Sequence, residues 1–358
     1  MRAAVISLGS ESSKMTAKEM EKYFDEVDMI SLRKIEVELG RDLHILYKGK
    51  PLEHYDCLYA KGSFRYSQIL KTITSLKDDN TFVPYDPNAY LIVHDKFLTQ
   101  VELQKYNIPM PQTYLSPTVQ HAKEMLKNVN YPIVMKFPSG TQGKGVMFGD
   151  SYSSAISILD ALTALKQPFI IQEYIETGGK DVRAFVVGDK VVAAMERVSN
   201  TEDKRANIHA GGSGNSIELT LETKQIALKV AKALGLGIGG VDILQFNNKS
   251  LVIEANISPG LQGITNATGI NVADKIAKYL YDSTIKHQKK SEKKKAKKLM
   301  QSEGLMESSN GFRQIISTLD IRGSRILLPD LVEKIAEFND SEEVSIEIGK
   351  KEVHIKKF

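Results

Sequence analysis

The chain has 358 residues, 42% hydrophobic and 26% charged, a composition ordinary for a globular protein and a length sufficient for two or three packed domains. A single cysteine, Cys57, excludes an internal disulfide and any multi-cysteine zinc site and fits a reducing cytoplasm, and no run is apolar enough for a signal segment or a membrane span. The net charge of +4 is local: residues 286–298 hold eight lysines and one glutamate (+7), which leaves −3 for the remainder and implies no global nucleic-acid surface.

The start, MRAAVISLGS, reads as a first strand. Up to about residue 90, short apolar runs (AAVISL, HILY, DCLYA) alternate with helix-like stretches at Thr16–Phe24 and Phe64–Leu76, the pattern of a small α/β domain that VPYDPN closes. Asp95–Tyr106 reads as an amphipathic helix, NIPMPQTYL as an extended stretch, Thr118–Lys127 as a helix and YPIVMKF as a strand. PSGTQGKGVMF, residues 138–148, is a glycine-rich loop between two β-runs. It is not a Walker loop, because Gly143-Lys144 is followed by Gly145 and then by strand rather than helix; a backbone approach to phosphate and a plain glycine turn both remain open.

Residues 168–198 continue as strands, with Gly188-Asp189-Lys190 as a hairpin turn, and Thr223–Leu234 is a helix ended by Gly235. In VDILQFNNKSLVIEANISPG, two apolar runs flank Asn247-Asn248-Lys249, a hairpin whose three-residue loop would set Asp242 opposite Glu254. Strand alternation puts Asn256 on the same face as Glu254, so three oxygen donors converge. Facing carboxylates on an apolar hairpin repel unless a cation lies between them; solvated acids on an exposed hairpin are the alternative. Val272–Tyr281 is a further helix. Beyond the lysine run, residues 311–358 read as FRQIISTL and RILL strands, a Pro329–Phe338 helix and a terminal hairpin, a β-rich unit too small for comfortable independent stability.

Taken in order, Lys136 with the glycine loop, QEYI, DVRAFVVGDKVVAAMER, RANIHAGG and VDILQF…VIEANISPGLQGITNATGI resemble the ATP-grasp superfamily, and within it the RimK-like glutamate ligases, over about Asp95–Tyr281. The resemblance implies an α/β ATP-grasp fold. It puts grasp subdomains at 91–175 and 176–285, and the α/β segment at 1–90 is compatible with the family's pre-grasp domain; the Lys-rich linker at 286–310 and the appended unit at 311–358 lie outside the resemblance. It further implies that Lys96 and Lys136 reach the phosphates, that Gly143 lies in the loop above them, and that Gln172, Glu173, Tyr174 and Ile175 receive the adenine. Asp181 takes the ribose position and Ala206 and Asn207 of RANIH contact nucleotide, with Arg205 serving both nucleotide and substrate. Arg183, Arg197 and Arg205 line the reaction centre, structural ion pairing being the alternative for Arg183 and Arg197, and Asp242, Glu254 and Asn256 hold two Mg²⁺ or Mn²⁺ ions. One departure is Ala210, where relatives acting on ribosomal protein commonly carry arginine.

The activity so implied is ADP-forming carboxylate–amine ligation through an acyl phosphate. Glutamate would be the amine, added to a protein C-terminus or to a cofactor γ-carboxyl, and no covalent enzyme intermediate is needed. A cytoplasmic enzyme, a homo-oligomer (dimer or tetramer) and a ribosome or acidic-protein contact through 286–298 fit this picture. The alternative from a different class is a non-catalytic ATP-binding module that docks on RNA or a ribosome through the lysine run and tail.

Overall fold

The computed structural model describes residues 1–41, 44–76, 80–140, 145–199, 213–302, 305–307, 313–315, 320–323, 325–327, 343–350 and 352–357. Strand β1 (Arg2–Ser7) is buried from Ala3 to Ser7, as expected of a central parallel strand covered on both faces. Ser10 then caps helix α1 (Glu11–Met20) by accepting Ser13 N–H at 3.3 Å, so the helix starts five residues earlier than its apolar spacing suggests. Strand β2 (Glu26–Ser31) returns beside β1. A small antiparallel sheet follows, made of β3 (Ile35–Glu38), β4 (His44–Tyr47) and β5 (Lys50–Pro51). Strand β6 (Cys57–Ala60) closes the parallel sheet in the order β2-β1-β6. Helices α2 (Ser67–Ser75), α3 (Ala89–Ile92) and α4 (Lys96–Gln104) lead to the next module.

That module is a four-stranded sheet, β7 (Thr113–Tyr114), β8 (Ile133–Lys136), β9 (Val146–Gly149) and β10 (Ile170–Glu173), in the order β7-β10-β8-β9. It is covered by α5 (Val119–Leu126) and α6 (Tyr152–Ala164). Helix α6 was not among the expected elements; it begins in a serine capping box formed by Ser151 and Ser154. The larger antiparallel sheet contains β11 (Lys180–Val187), β12 (Lys190–Val198), β13 (Ser213–Ser216), β14 (Ile238–Phe246) and β15 (Lys249–Asn256), ordered β13-β12-β11-β14-β15. Helix α7 (Leu221–Ala233) packs on it, and α8 (Gln262–Thr268) and α9 (Val272–Ser302) follow.

Among the described residues two hydrophobic cores result. Val5, Ile6 and Tyr59 of the N-terminal sheet share one continuous core with Phe185, Val241, Ile276 and Leu280, whereas Leu126, Met135, Leu159 and Ile171 form a separate core inside the small module. Residues 1–90 are thus packed jointly with the C-terminal half. The junction is stitched by backbone, with Asp86 N–H to Gly235 O at 2.9 Å and Gly237 N–H to Pro84 O at 2.7 Å.

The lysine run, expected as a linker over 286–310, is helical as far as Ser302. Lysine has good helix propensity and the run continues the turns of α9 without a breaker. The chain divides into compact units at Met1–Lys289 and Lys290–Phe358. Among the described residues of the second unit are three antiparallel pairs, Leu305–Glu307 with Arg313–Ile315, Asp320–Arg322 with Arg325–Leu327, and Val344–Gly349 with Glu352–Lys357. The expected Pro329–Phe338 helix lies outside the described residues. Among the described residues no helix is long and apolar enough to cross a membrane.

Candidate active site

The β14–β15 hairpin has a two-residue turn, Asn247-Asn248, rather than the expected three-residue loop. Both residues have positive φ, 48° and 60°, as a type I′ turn requires. Asp242 still faces Glu254, because a bulge leaves Ile253 of β15 unpaired between Glu254 and the Ile243↔Val252 pair. Extra length in the strand compensates for the shorter turn.

Register across the sheet places Arg183 of β11 beside Asp242, and Arg197 of β12 beside Asp181. Arg183 donates Nε to Asp242 Oδ1 and Nη2 to Oδ2, both at 2.7 Å, while Arg197 donates to both oxygens of Asp181 at 2.6 Å and reaches Asp242 Oδ2 at 3.0 Å. Asn256 Nδ2 adds a 3.4 Å contact to the same oxygen. Asp242, Arg197 and Asp181 are 4%, 6% and 7% exposed, so the two anions and two cations neutralise one another inside the protein. Burial would raise the Asp242 carboxyl, but Arg183 and Arg197 outweigh it and hold the group well below the usual carboxylate range. At Asp181 burial is the larger influence and, against the pull of Arg197, pushes the carboxyl up to about 6.

Glu254 is only partly buried and has neither ion pair nor hydrogen bond among the described residues. With the lone pairs left on Asp242 and the Asn256 amide oxygen it offers a hard-oxygen donor set. No cluster of three His, Cys, Asp or Glu side chains suited to a metal exists among the described residues, so a cation here would draw its other ligands from phosphate and water, as Mg²⁺ commonly does. On those terms the residues fit a nucleotide-bound Mg²⁺.

The small module supplies the facing wall. Lys136, the last residue of β8, donates to Gln172 Oε1 at 2.5 Å, and Gln172, itself 2% exposed, donates Nε2 to Thr113 Oγ1 at 2.8 Å. Burial pushes the Lys136 ammonium down to about 8, with Glu254 pulling it up and Lys96 pushing it further down; all three groups therefore act on one cleft. Lys96, the first residue of α4, donates Nζ to Gly140 O at 3.0 Å and its backbone N–H to Pro138 O at 2.9 Å, which ties it to the glycine loop. In that loop Gly145 has φ +77°, and a Cβ there would lie 2.2 Å from the Phe137 ring, so only glycine fits. Glu173 pairs with Gln112, accepting its N–H at 3.1 Å, and Tyr174 stands edge-on to Phe148 at 5.8 Å. Ile175 follows directly. Gly143, Arg205, Ala206, Asn207 and Ala210 lie outside the described residues.

Sequence reasoning passed over two buried groups near these walls. His94 Nε2 is buried with no hydrogen-bond partner among the described residues, and burial, aided by Lys96, lowers its pKa to about 4, so the ring is neutral. Lys61 is buried at the end of β6; the only signal was a lysine directly after an uncharged apolar strand, CLYA.

A small sheet carrying Lys136 that faces a larger sheet carrying acids and arginines fits the plan of an ATP-grasp ligase. Solved structures share the fold. The ligase PsnB, complexed with a phosphomimetic variant of its minimal precursor, Mg and ADP, superposes with a TM-score of 0.63 at 16% identity, over 79% of this chain and 98% of that one. The RimK domain protein ATP-grasp from Sphaerobacter thermophilus DSM 20745 gives 0.61 at 16% identity, over 78% and 99%. The RimK-like ATP-grasp domain model matches residues 93–280, and a probable alpha-L-glutamate ligase of Legionella pneumophila (strain Corby) is 37% identical over 237 residues, 65% of this chain and 78% of that protein. The chain belongs to the RimK-like ATP-grasp family. It is an ATP-dependent ligase that forms an amide from a carboxylate and an amine.

Proposed function

We propose that the enzyme joins the amino group of L-glutamate to a carboxylate at a protein C-terminus or on a cofactor side chain, using Mg-ATP. The observation that carries this is the open carboxylate of Glu254 beside the buried Arg183–Asp242–Arg197 network, facing Lys136. The relatives named as glutamate ligases point to the amine, and peptide-bound ATP-grasp structures make a peptide acceptor reasonable.

In this mechanism Lys96 and Lys136 hold the phosphate chain, and Gln172–Ile175 line the base. Asp242, Glu254 and Asn256 would hold two Mg²⁺ ions, or Mn²⁺ in their place. Bound there, the metal neutralises charge on the transferring phosphate. A carboxylate oxygen of the acceptor attacks the γ-phosphorus and ADP departs. The amine nitrogen then attacks the acyl carbon of the mixed anhydride, inorganic phosphate leaves and the nitrogen loses a proton. Arg183 and Arg197, held in place by Asp242 and Asp181, would be the preorganised donors for developing negative charge. Asp181 in turn fixes Arg197 through both of its carboxylate oxygens. The lysine-bearing helix after Lys286 gives a surface for an acidic partner or a ribosome.

The test is mass spectrometry of cell extract incubated with the enzyme, ATP and isotopically labelled glutamate. Label in a new amide, with equimolar ADP, is the expected result; ADP released with a different amino acid only would overturn the glutamate assignment.

A further inference from the structure

Lys61 is a buried lysine that the chemistry above does not use. It lies directly beyond the carboxyl end of β6 and is 4% exposed. Its ammonium makes no hydrogen bond and has no carboxylate partner among the described residues; the Tyr59 ring, with its centroid 5.5 Å from Nζ, is a polarisable neighbour. An ammonium out of water without a counter-charge is strongly unfavourable, and burial pushes this one down to about 8.

Its position has a topological meaning. In the order β2-β1-β6 the chain leaves the carboxyl ends of β1 and β6 toward opposite sides, which opens a crevice between them, the place where parallel α/β sheets take their ligands. The far side of this crevice is the exit from the β14–β15 hairpin. Ser258 Oγ accepts Gly62 N–H at 3.3 Å, Leu261 N–H donates to Ser12 Oγ at 2.9 Å, and Tyr85 Oη donates to Ile257 O at 3.0 Å. Pro259 in turn abuts Gly240 beside Arg183: a Cβ on Gly240 would stand 3.2 Å from Pro259 Cβ and 3.6 Å from Arg183 Nε. Strand alternation carried one residue past Ala60 puts Lys61 on the same side as Tyr59, the side on which Tyr59 stacks against Tyr85.

We infer that Lys61, with Ser258, binds a substrate carboxylate at the carboxyl edge of the N-terminal sheet, one loop away from the Arg183–Asp242 pair. The inference rests on the ligase reading of the site and adds the wall that faces the organic substrates. The carboxylate supplies the counter-charge the fold withholds from Lys61. It belongs either to the incoming amino acid or to the acceptor.

Calorimetric titration of the full chain, with Mg²⁺ and a non-hydrolysable ATP analogue present, distinguishes these. The probes are L-glutamate, L-aspartate, L-glutamine, glutarate and a peptide ending in glutamate, each against wild type, Lys61→Met and Lys61→Arg. Lys61→Met replaces an unpaired buried cation by an apolar chain of similar length, so its melting temperature is expected to be equal or higher. The expected result is a carboxylate probe whose Kd rises at least tenfold in Lys61→Met and recovers in part in Lys61→Arg, while the Kd of the nucleotide stays within twofold. In turnover the loss should fall on the KM of that same substrate rather than on kcat. If glutamate binds all three proteins equally, Lys61 is not the anchor although the glutamate reading stands. If another probe shows the Lys61 dependence and glutamate does not bind, the anchor stands and the glutamate reading falls. No carboxylate binding to wild type overturns the pocket.

Discussion

Arg183 grips Asp242 across neighbouring strands through two parallel hydrogen bonds of 2.7 Å each. Arg197, itself held by both oxygens of Asp181, reaches Asp242 Oδ2 at 3.0 Å, so Asp242 is the anion that the two guanidiniums share. Asp242→Asn is expected to lower stability by about 3–5 kcal/mol, the usual result of removing one member of a buried ion network, and to abolish turnover. Glu254→Gln, where no ion pair is lost among the described residues, should melt like wild type yet lose about 10²–10³ in turnover. Urea denaturation beside an ADP-release assay separates the two, and equal stability losses would refute this division of roles.

Arg197 bridges Asp181 and Asp242 with a planar fork. A lysine has a single point of charge and cannot hold one carboxylate in two places while touching another. Arg197→Lys should therefore reduce kcat by more than tenfold and destabilise the fold. A double-mutant cycle with Asp181→Asn should give a coupling of about 1–3 kcal/mol, and a coupling near zero would show the pair to be energetically idle.

Lys61 and Lys136 have pKa values of about 8 in the folded chain against 10.5 unfolded. Between those limits the unfolded chain binds more protons, so stability rises with pH over that window and the gain is absent below it. The buried phenols of Tyr59, Tyr85 and Tyr90, whose pKa values burial raises, oppose the rise once unfolded tyrosine ionises near 10. Urea midpoints of the nucleotide-free enzyme should increase from about pH 7.5 to about pH 9.5, and less steeply in Lys136→Met. By the same reasoning, ATP binding above about pH 8 should take up a proton, which calorimetry in buffers of different ionisation enthalpy detects.

Gly237 lies at the stitch between the two halves of the main core. A Cβ there would meet Pro84 O and Tyr279 Oη, each at 2.4 Å, and the Pro84 carbonyl is already committed to Gly237 N–H. Gly237→Ala should cost about 1–3 kcal/mol by overpacking. Gly40→Ala, with nothing within 4 Å of its Cβ, should be close to neutral in the same melt.

The compact unit ends at Lys289. A chain of residues 1–289 is expected to keep wild-type ATP affinity and melting. Cutting after Tyr281 instead removes the Gln288 Nε2 to Asp56 Oδ1 bond at 2.7 Å and the buried Thr284, and should lower the melting temperature. Thermal melts of the two truncations, with ATP titrations, check this.

Much of this was legible because it is local. Strand alternation and a turn rich in asparagine were enough to set Asp242 opposite Glu254, even though turn and bulge exchanged one residue. Lys136 could be placed at a strand end because YPIVMKF is a clean apolar run. What the sequence hid depends on register between distant segments. Arg197 meets Asp181 and Asp242 only through three strands in one sheet, and nothing local distinguishes it from a surface arginine. Strand β2, EVDMIS, is half polar because it lies at the edge of its sheet, so it carries no apolar run to read. The serines at the head of α6 and the lysines of α9 look like loop and linker by composition, yet capping and propensity make both helical.

The small module begins at β7 and ends at β10, and these strands are neighbours; Glu173 N–H donates to Gln112 O at 2.8 Å where the chain comes back. With its own core and both ends at one seam, the module is topologically a cassette. It could be exchanged between related enzymes by two cuts made side by side, at about 112 and 174, provided the graft keeps the carbonyls of Pro138 and Gly140 that bind Lys96.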